Sequence, residues 1–244
     1  MRWISYYRIR WLLVFTVVLA LVGTGIYLNG HRYHLRSVFP REVNPRRFAK
    51  QIDAFRKWDR EHKTPPNVVL FIGSSSIGGW DTDRFFPTLP VLNRGFGGSH
   101  ISDINYFLKQ VVFPHHPKVV VFYAGDNDIS GGKKPARVLR DYQQFVKRTH
   151  EKLPDTQIVF LPIKPSIRRW KRWPTMKKAN AMIKSYSAQD GRLHYVDTAS
   201  PMLNDTGLPL CDLFVKDGLH LNQKGYEMWT ELLTPYIENI LKLS

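Results

Sequence analysis

Three short apolar runs constrain the fold of this chain more than any other feature. Residues 67–72 (NVVLFI) stop at Gly73, residues 118–124 (KVVVFYA) stop at Gly125, and residues 157–163 (QIVFLPI) lead into Lys164-Pro165. None of them alternates apolar with polar side chains. A strand of that kind is apolar on both faces and needs cover on each, as strands of a parallel sheet do. Residues 91–96 and 193–196 are two shorter strand candidates. Around them, apolar positions recur at helical spacing over residues 101–112, 136–153, 174–189 and 223–243. Strand and helix alternating at this rhythm predict βαβ units, and so one α/β domain over residues 48–244 with a five-stranded parallel sheet covered on both faces. At its start, Phe48, Ile52, Phe55 and Trp58 have the spacing of an amphipathic helix docked on that domain.

A formal net charge of +16 suggests a nucleic-acid partner, but its distribution argues against one. Residues 1–47 carry eight Arg against one acid, Glu42, and residues 164–178 (KPSIRRWKRWPTMKK) carry seven basic residues and no acid. With both segments set aside, the rest of the chain is nearly neutral at +2. Residues 11–28 (WLLVFTVVLALVGTGIYL) hold no charge, and as a helix they reach about 27 Å, enough to cross a hydrocarbon core. Tyr6, Tyr7, Trp11 and Tyr27 lie near the ends of this run, as interfacial aromatics do. The run is long for a cleaved leader, and the small-x-small cleavage pattern after Leu28 is poorly formed. The expected organisation is an N-terminal tail (1–10), a transmembrane anchor (11–28), a basic linker (29–47) and the α/β domain. The protein is then single-pass, with its domain facing outward from a bacterial inner membrane. The membrane is its partner, and nucleic acid is not. One cysteine, Cys211, excludes a disulfide framework and any multi-Cys metal site.

In open α/β sheets, ligands bind beyond the carboxyl ends of the strands. Four segments rich in small and polar residues fall at that edge: Gly73-Ser74-Ser75-Ser76-Ile77, the stretch from Gly95 to His100, Gly125-Asp126-Asn127-Asp128, and Asp217-Gly218-Leu219-His220. Nucleophilic acyl transfer needs a hydroxyl, an imidazole to take its proton, an acid to hold that imidazole, and donors for the oxyanion. A serine at a strand-to-helix turn lies beside free N–H groups at the positive end of the helix dipole. Asp217 and His220, three apart in a turn, can face the same side. Gly98 permits close backbone approach, and Asn127 offers an amide donor. The Gly-x-Ser-x-Gly elbow of the α/β-hydrolases is absent.

Together these segments resemble the four sequence blocks of the SGNH (GDSL) hydrolases, in order, over residues 67–226. The resemblance implies a flavodoxin-like three-layer α/β/α fold with a catalytic Ser75, Asp217 and His220. It gives the oxyanion hole to the Ser75 and Gly98 N–H groups and to Asn127, and it requires no cofactor and no metal. Ser74 stands where the family has Asp, and a gapless match from Gly73 singles out Ser75 among the three serines. Ser74 and Ser76 are then turn and cap residues, and Asp126 and Asp128 brace their loop.

The remaining features receive plainer readings. His31, His34, His115 and His116 read as solvated loop histidines, and Cys211 as a structural thiol. The basic stretch after the fourth strand falls at the rim of the site; it reads either as a solvated loop that packs its Trp residues or as a rim where Arg168, Trp170 and Trp173 meet a membrane or an anionic substrate. The expected function is a membrane-anchored serine esterase or acylhydrolase acting on a lipid or an acylated glycan. Two rivals stand beside it: an O-acyltransferase or deacetylase of envelope polysaccharide, and a catalytically silent binding module. Oligomeric state is not set by the sequence.

Overall fold

All five expected strands form, in a computed structural model that describes residues 44–242. The elements in chain order are α1 (Ala49–Glu61), β1 (Val69–Gly73), α2 (Ser75–Gly78), α3 (Thr82–Phe85), β2 (Val91–Asn93), α4 (Ile101–Val111), β3 (Val119–Tyr123), α5 (Asp126–Ser130), α6 (Pro135–Lys152), β4 (Gln157–Phe160), α7 (Trp173–Ser187), β5 (Leu193–Tyr195) and α8 (Gln223–Lys242). The strands pair in parallel in the order β2-β1-β3-β4-β5. The chain thus steps one way from β1 and then the other from β3, which opens a crevice beyond the carboxyl ends of those two strands. The expected anchor and most of the linker lie outside the described residues. Among those described, no helix is long and apolar enough to cross a membrane.

The unbroken apolar runs have the predicted cause. Leu70, Ile72, Val120, Phe122, Ile158 and Phe160 face one layer, where they pack with residues of α1, α4, α6 and α7. Val69, Phe71, Val119, Val121, Tyr123 and Val159 face the other, formed by α8 with Ile77, Trp80 and Phe86 from the α2–α3 region. Each such side chain contributes about 1.5–3 kcal/mol by leaving water, so neither layer can be dispensed with.

The domain takes in more of the chain than residues 48–244. Pro45–Phe48 forms a 3-10 turn, and Phe48 is buried with its ring edge-on to Phe96, centroids 4.9 Å apart. Arg47 reaches Asp103 at 3.1 Å and donates to the Gly98 carbonyl at 3.1 Å. Two plainer readings need correction. His115 is buried rather than solvated, within 2.9 Å of the Thr64 hydroxyl, and burial lowers its pKa to about 4. Cys211 is exposed on the surface, so it is no buried structural thiol.

Candidate active site

Gly73 is the first determinant of the site. A Cβ there would lie 2.0 Å from the Tyr123 carbonyl oxygen, so only glycine lets β1 run this close to β3 at its carboxyl end. The Ser74 N–H donates to that same carbonyl at 3.0 Å, and Ser75 then opens α2. Ser75 is half-buried, between the fully buried Ser74 and Ser76. Its N–H belongs to the first turn, where no helical acceptor exists. Ser74 occupies the cap position, yet its hydroxyl makes no cap bond and has no hydrogen-bond partner.

The Asp217–His220 turn comes to Ser75 from the far end of the sequence. His220 Nε2 lies 3.0 Å from Ser75 Oγ, and His220 Nδ1 lies 2.5 Å from Asp217 Oδ2. The other carboxylate oxygen accepts the Leu219 N–H at 2.8 Å and the His220 N–H at 3.0 Å. These two backbone bonds, followed by the imidazole bond, hold the Asp217 carboxyl well below the usual carboxylate range. An ionised Asp217 makes Nδ1 the protonated ring nitrogen, which leaves the Nε2 lone pair to accept the serine proton. Gly218 turns this loop at φ +63°, and its carbonyl accepts the Arg168 N–H at 3.0 Å, tying the loop to the basic stretch.

The second and third segments complete the crevice. Asn93 fastens the β2 loop to α2: its amide donates to the Ile77 and Trp80 carbonyls, and its oxygen accepts the Gly95 N–H. A Cβ on Gly97 would stand 3.7 Å from the Ser75 Cβ, so this loop lies directly against the serine. Gly98 follows at φ +77°, with open space beside its Cα. Its N–H and that of Ser75 have no protein acceptor among the described residues. Asn127, in the first turn of α5, donates to the Ser99 carbonyl at 3.1 Å, and one further amide hydrogen remains.

Several residues that matter here were not singled out from the sequence. Arg169 donates to Asn127 Oδ1 at 2.9 Å and pairs with Asp126 at 2.6 Å, which fixes the amide so that its N–H₂ faces Ser99 and the crevice. Asp128 accepts the Ile101 N–H and pairs with Lys133, which also pairs with Asp141. Burial opposes the Lys133 charge, but the two carboxylates outweigh it and raise its pKa. Asp126 and Asp128 are therefore braces. Lys164 is 2% exposed and bonds only to hydroxyls, Ser76 Oγ at 2.9 Å and Tyr123 Oη at 3.2 Å; burial lowers its pKa to about 8.

Of the three rim residues, Arg168 is exposed and Trp170 is half-buried. Trp173 is 7% exposed and packs in the core, stacked on Trp170 at 6.3 Å, so it is not a rim residue. As the first residue of α7 it has to cover the sheet, a demand the Arg/Trp composition of the stretch conceals. Among the described residues, no cluster of three or more His, Cys, Asp or Glu could hold a metal.

The family model of the GDSL-like lipase/acylhydrolase family matches residues 73–228. No curated protein sequence matches the chain. Among solved structures, a GDSL-like lipase from Bacteroides thetaiotaomicron superposes with a TM-score of 0.65 at 21% identity, over 80% of this chain and 98% of its own. A mutant of an acetyl-xylooligosaccharide esterase from Geobacillus Stearmophilus superposes with a TM-score of 0.59 at 15% identity, over 70% of this chain and 94% of its own. At these identities the likeness is one of fold.

Proposed function

Because the chain belongs to the GDSL-like lipase/acylhydrolase family, we propose that it is a serine esterase in which Ser75, His220 and Asp217 act as the catalytic triad. The observation that carries this reading is the continuous line from Ser75 Oγ to His220 (3.0 Å) to Asp217 (2.5 Å), brought together across 145 positions of sequence. His220 Nε2 takes the proton as Ser75 Oγ bonds to the acyl carbon. The carbonyl oxygen becomes an oxyanion, met by the N–H groups of Ser75 and Gly98 and by the Asn127 amide. Collapse of this intermediate breaks the ester bond, and His220 returns the proton to the departing alkoxide. Water, deprotonated by His220, then releases the acid and restores Ser75.

The acetyl esterase among the similar folds supports short acyl groups as the first substrates to try. The uncharged run at residues 11–28, flanked by arginines, supports a tether that holds the enzyme at a membrane. The test is hydrolysis of p-nitrophenyl acetate, butyrate and palmitate by the full-length protein and by Ser75→Ala. Turnover of at least one ester, lost in the variant, supports the reading. Equal turnover by both proteins rejects it.

A further inference from the structure

Beside the crevice runs a groove of about 940 Å³, lined by Ser130, Ile167, Arg168, Arg169, Trp170, Lys171, Arg172 and Leu219. Its place relative to the proposed chemistry is fixed at two points. Leu219 is the residue before His220, and Arg169 is bonded to the Asn127 amide oxygen at 2.9 Å. The groove therefore borders the loop that carries the proposed base and the residue that holds the Asn127 amide.

Four of the eight lining residues are basic and none is acidic. Arg169 is matched by Asp126, and Arg172 donates to the Ile129 carbonyl at 3.2 Å. Arg168 and Lys171 have no ion-pair partner among the described residues, and both are exposed. The N-terminus of α7 adds to the same field, with no acidic residue in its first turn. A cleft lined by one sign of charge raises the local concentration of ligands of the other sign.

The tryptophans help to choose among anionic ligands. Docking on a bilayer uses aromatic side chains that project outward. Here Trp173 is in the core, Trp170 is half-buried against it, and the outward positions go to Arg168, Lys171 and Arg172, with Ile167 the one exposed apolar side chain of the lining. That arrangement suits a solute drawn from water rather than a lipid drawn from a bilayer.

We infer that this groove is a substrate subsite for an anionic group, so that the preferred substrate is a water-soluble ester carrying a carboxylate or phosphate on the part of the molecule that extends from the scissile bond. The inference rests on the esterase reading above and adds its substrate class. Arg168 and Lys171 supply the attraction, the Trp170 ring forms one wall, and Arg169 is already engaged in holding Asn127.

A matched pair of acetyl esters tests it: 4-acetoxybenzoate, which is anionic, and its methyl ester, which is neutral. The quantity read is the ratio of kcat/KM for the anionic to the neutral ester, with the full-length protein kept in a non-ionic detergent. The combined Arg168→Gln and Lys171→Gln variant should lower that ratio about ten-fold, and Arg168→Glu with Lys171→Glu should lower it further. Raising the salt from about 0.05 M to about 0.5 M should shrink the wild-type ratio, because the groove is open to solvent. Lys147→Gln, on the exposed face of α6, should leave the ratio as it is. Unchanged ratios in both groove variants overturn the subsite, as does hydrolysis of an anionic phospholipid in vesicles with no charge preference between the soluble esters. If neither ester is hydrolysed, or Ser75→Ala hydrolyses them equally, it is the esterase reading that fails.

Discussion

Lys164 gives the structure its most quantitative prediction. Its ammonium group is buried behind the turn that carries Ser75, with two hydroxyls for company and no carboxylate within ion-pair distance among the described residues. Burial lowers its pKa from the ordinary 10.5 to about 8. A fall of that size means that the charged form costs the folded state about 3 kcal/mol. Below pH 8 the lysine is protonated in both folded and unfolded chains, and the full cost applies. Between pH 8 and pH 10.5 the unfolded chain holds a proton that the folded chain has lost, so raising the pH favours folding. The gain between pH 7 and pH 9.5 works out at about 2 kcal/mol. Tyrosines of the unfolded chain ionise from about pH 10 and act with the opposite sign, which closes the useful window.

The perturbation is Lys164→Met, and the assay is denaturant unfolding followed by tryptophan fluorescence at half-unit steps of pH. The variant loses the charge but leaves Ser76 Oγ and Tyr123 Oη without their partner, at about 1–3 kcal/mol for each buried group. Its absolute stability is therefore a poor test, and the slope with pH is the informative quantity. Wild type should gain stability from pH 7 to 9.5 while the variant stays flat. A flat or falling wild-type curve, or the same rise in both proteins, refutes the reasoning.

Four further outcomes follow from the site. Asn127→Ala removes one proposed oxyanion donor and should lower kcat on the order of 10²–10³-fold with little change in KM, which steady-state kinetics on a neutral ester will show. Asp217→Asn should cost about 10²–10⁴-fold in kcat by losing the imidazole's orientation. In wild type, where the carboxyl is held well below its usual range, kcat/KM should show no step in the ordinary carboxylate range; such a step tells against the assignment. Gly73→Ala forces a Cβ to 2.0 Å from the Tyr123 carbonyl, and should destabilise the fold by about 3 kcal/mol in a chemical melt.

Apolar run length and spacing were enough to read the five strands and the long helices, because a two-sided sheet imposes a pattern that tertiary context does not override. Of the short helices, only the start of α2 is legible, as the strand-to-helix turn at the serines; its length, and α3 and α5 altogether, are not. Each of the three is four or five residues long, below the reach of any periodicity, and two of them are held by ties from elsewhere, α2 by Asn93 and α5 by Arg169. Ser75, Gly98, Asn127, Asp217 and His220 could be placed at one sheet edge since each follows a turn signal that the topology brings together. Their supports could not. Arg169 looked like one more cation in a basic run, and only the fold shows it bonded to Asn127. Lys164 looked like the start of that run, and its burial depends on β3 and α2 passing over it. Trp173 misled for the reverse reason: local composition marked it as surface, while α7 needed an aromatic there to cover the sheet.

The account stands most directly on Ser75 as the nucleophile. Treating the full-length protein with a fluorophosphonate and mapping the adduct by peptide mass spectrometry tests this in one step. The account predicts a single phosphonylated serine, Ser75, with labelling lost in Ser75→Ala and sharply reduced in His220→Ala. An adduct on Ser74 or Ser76, or undiminished labelling of a folded Ser75→Ala protein, would contradict it.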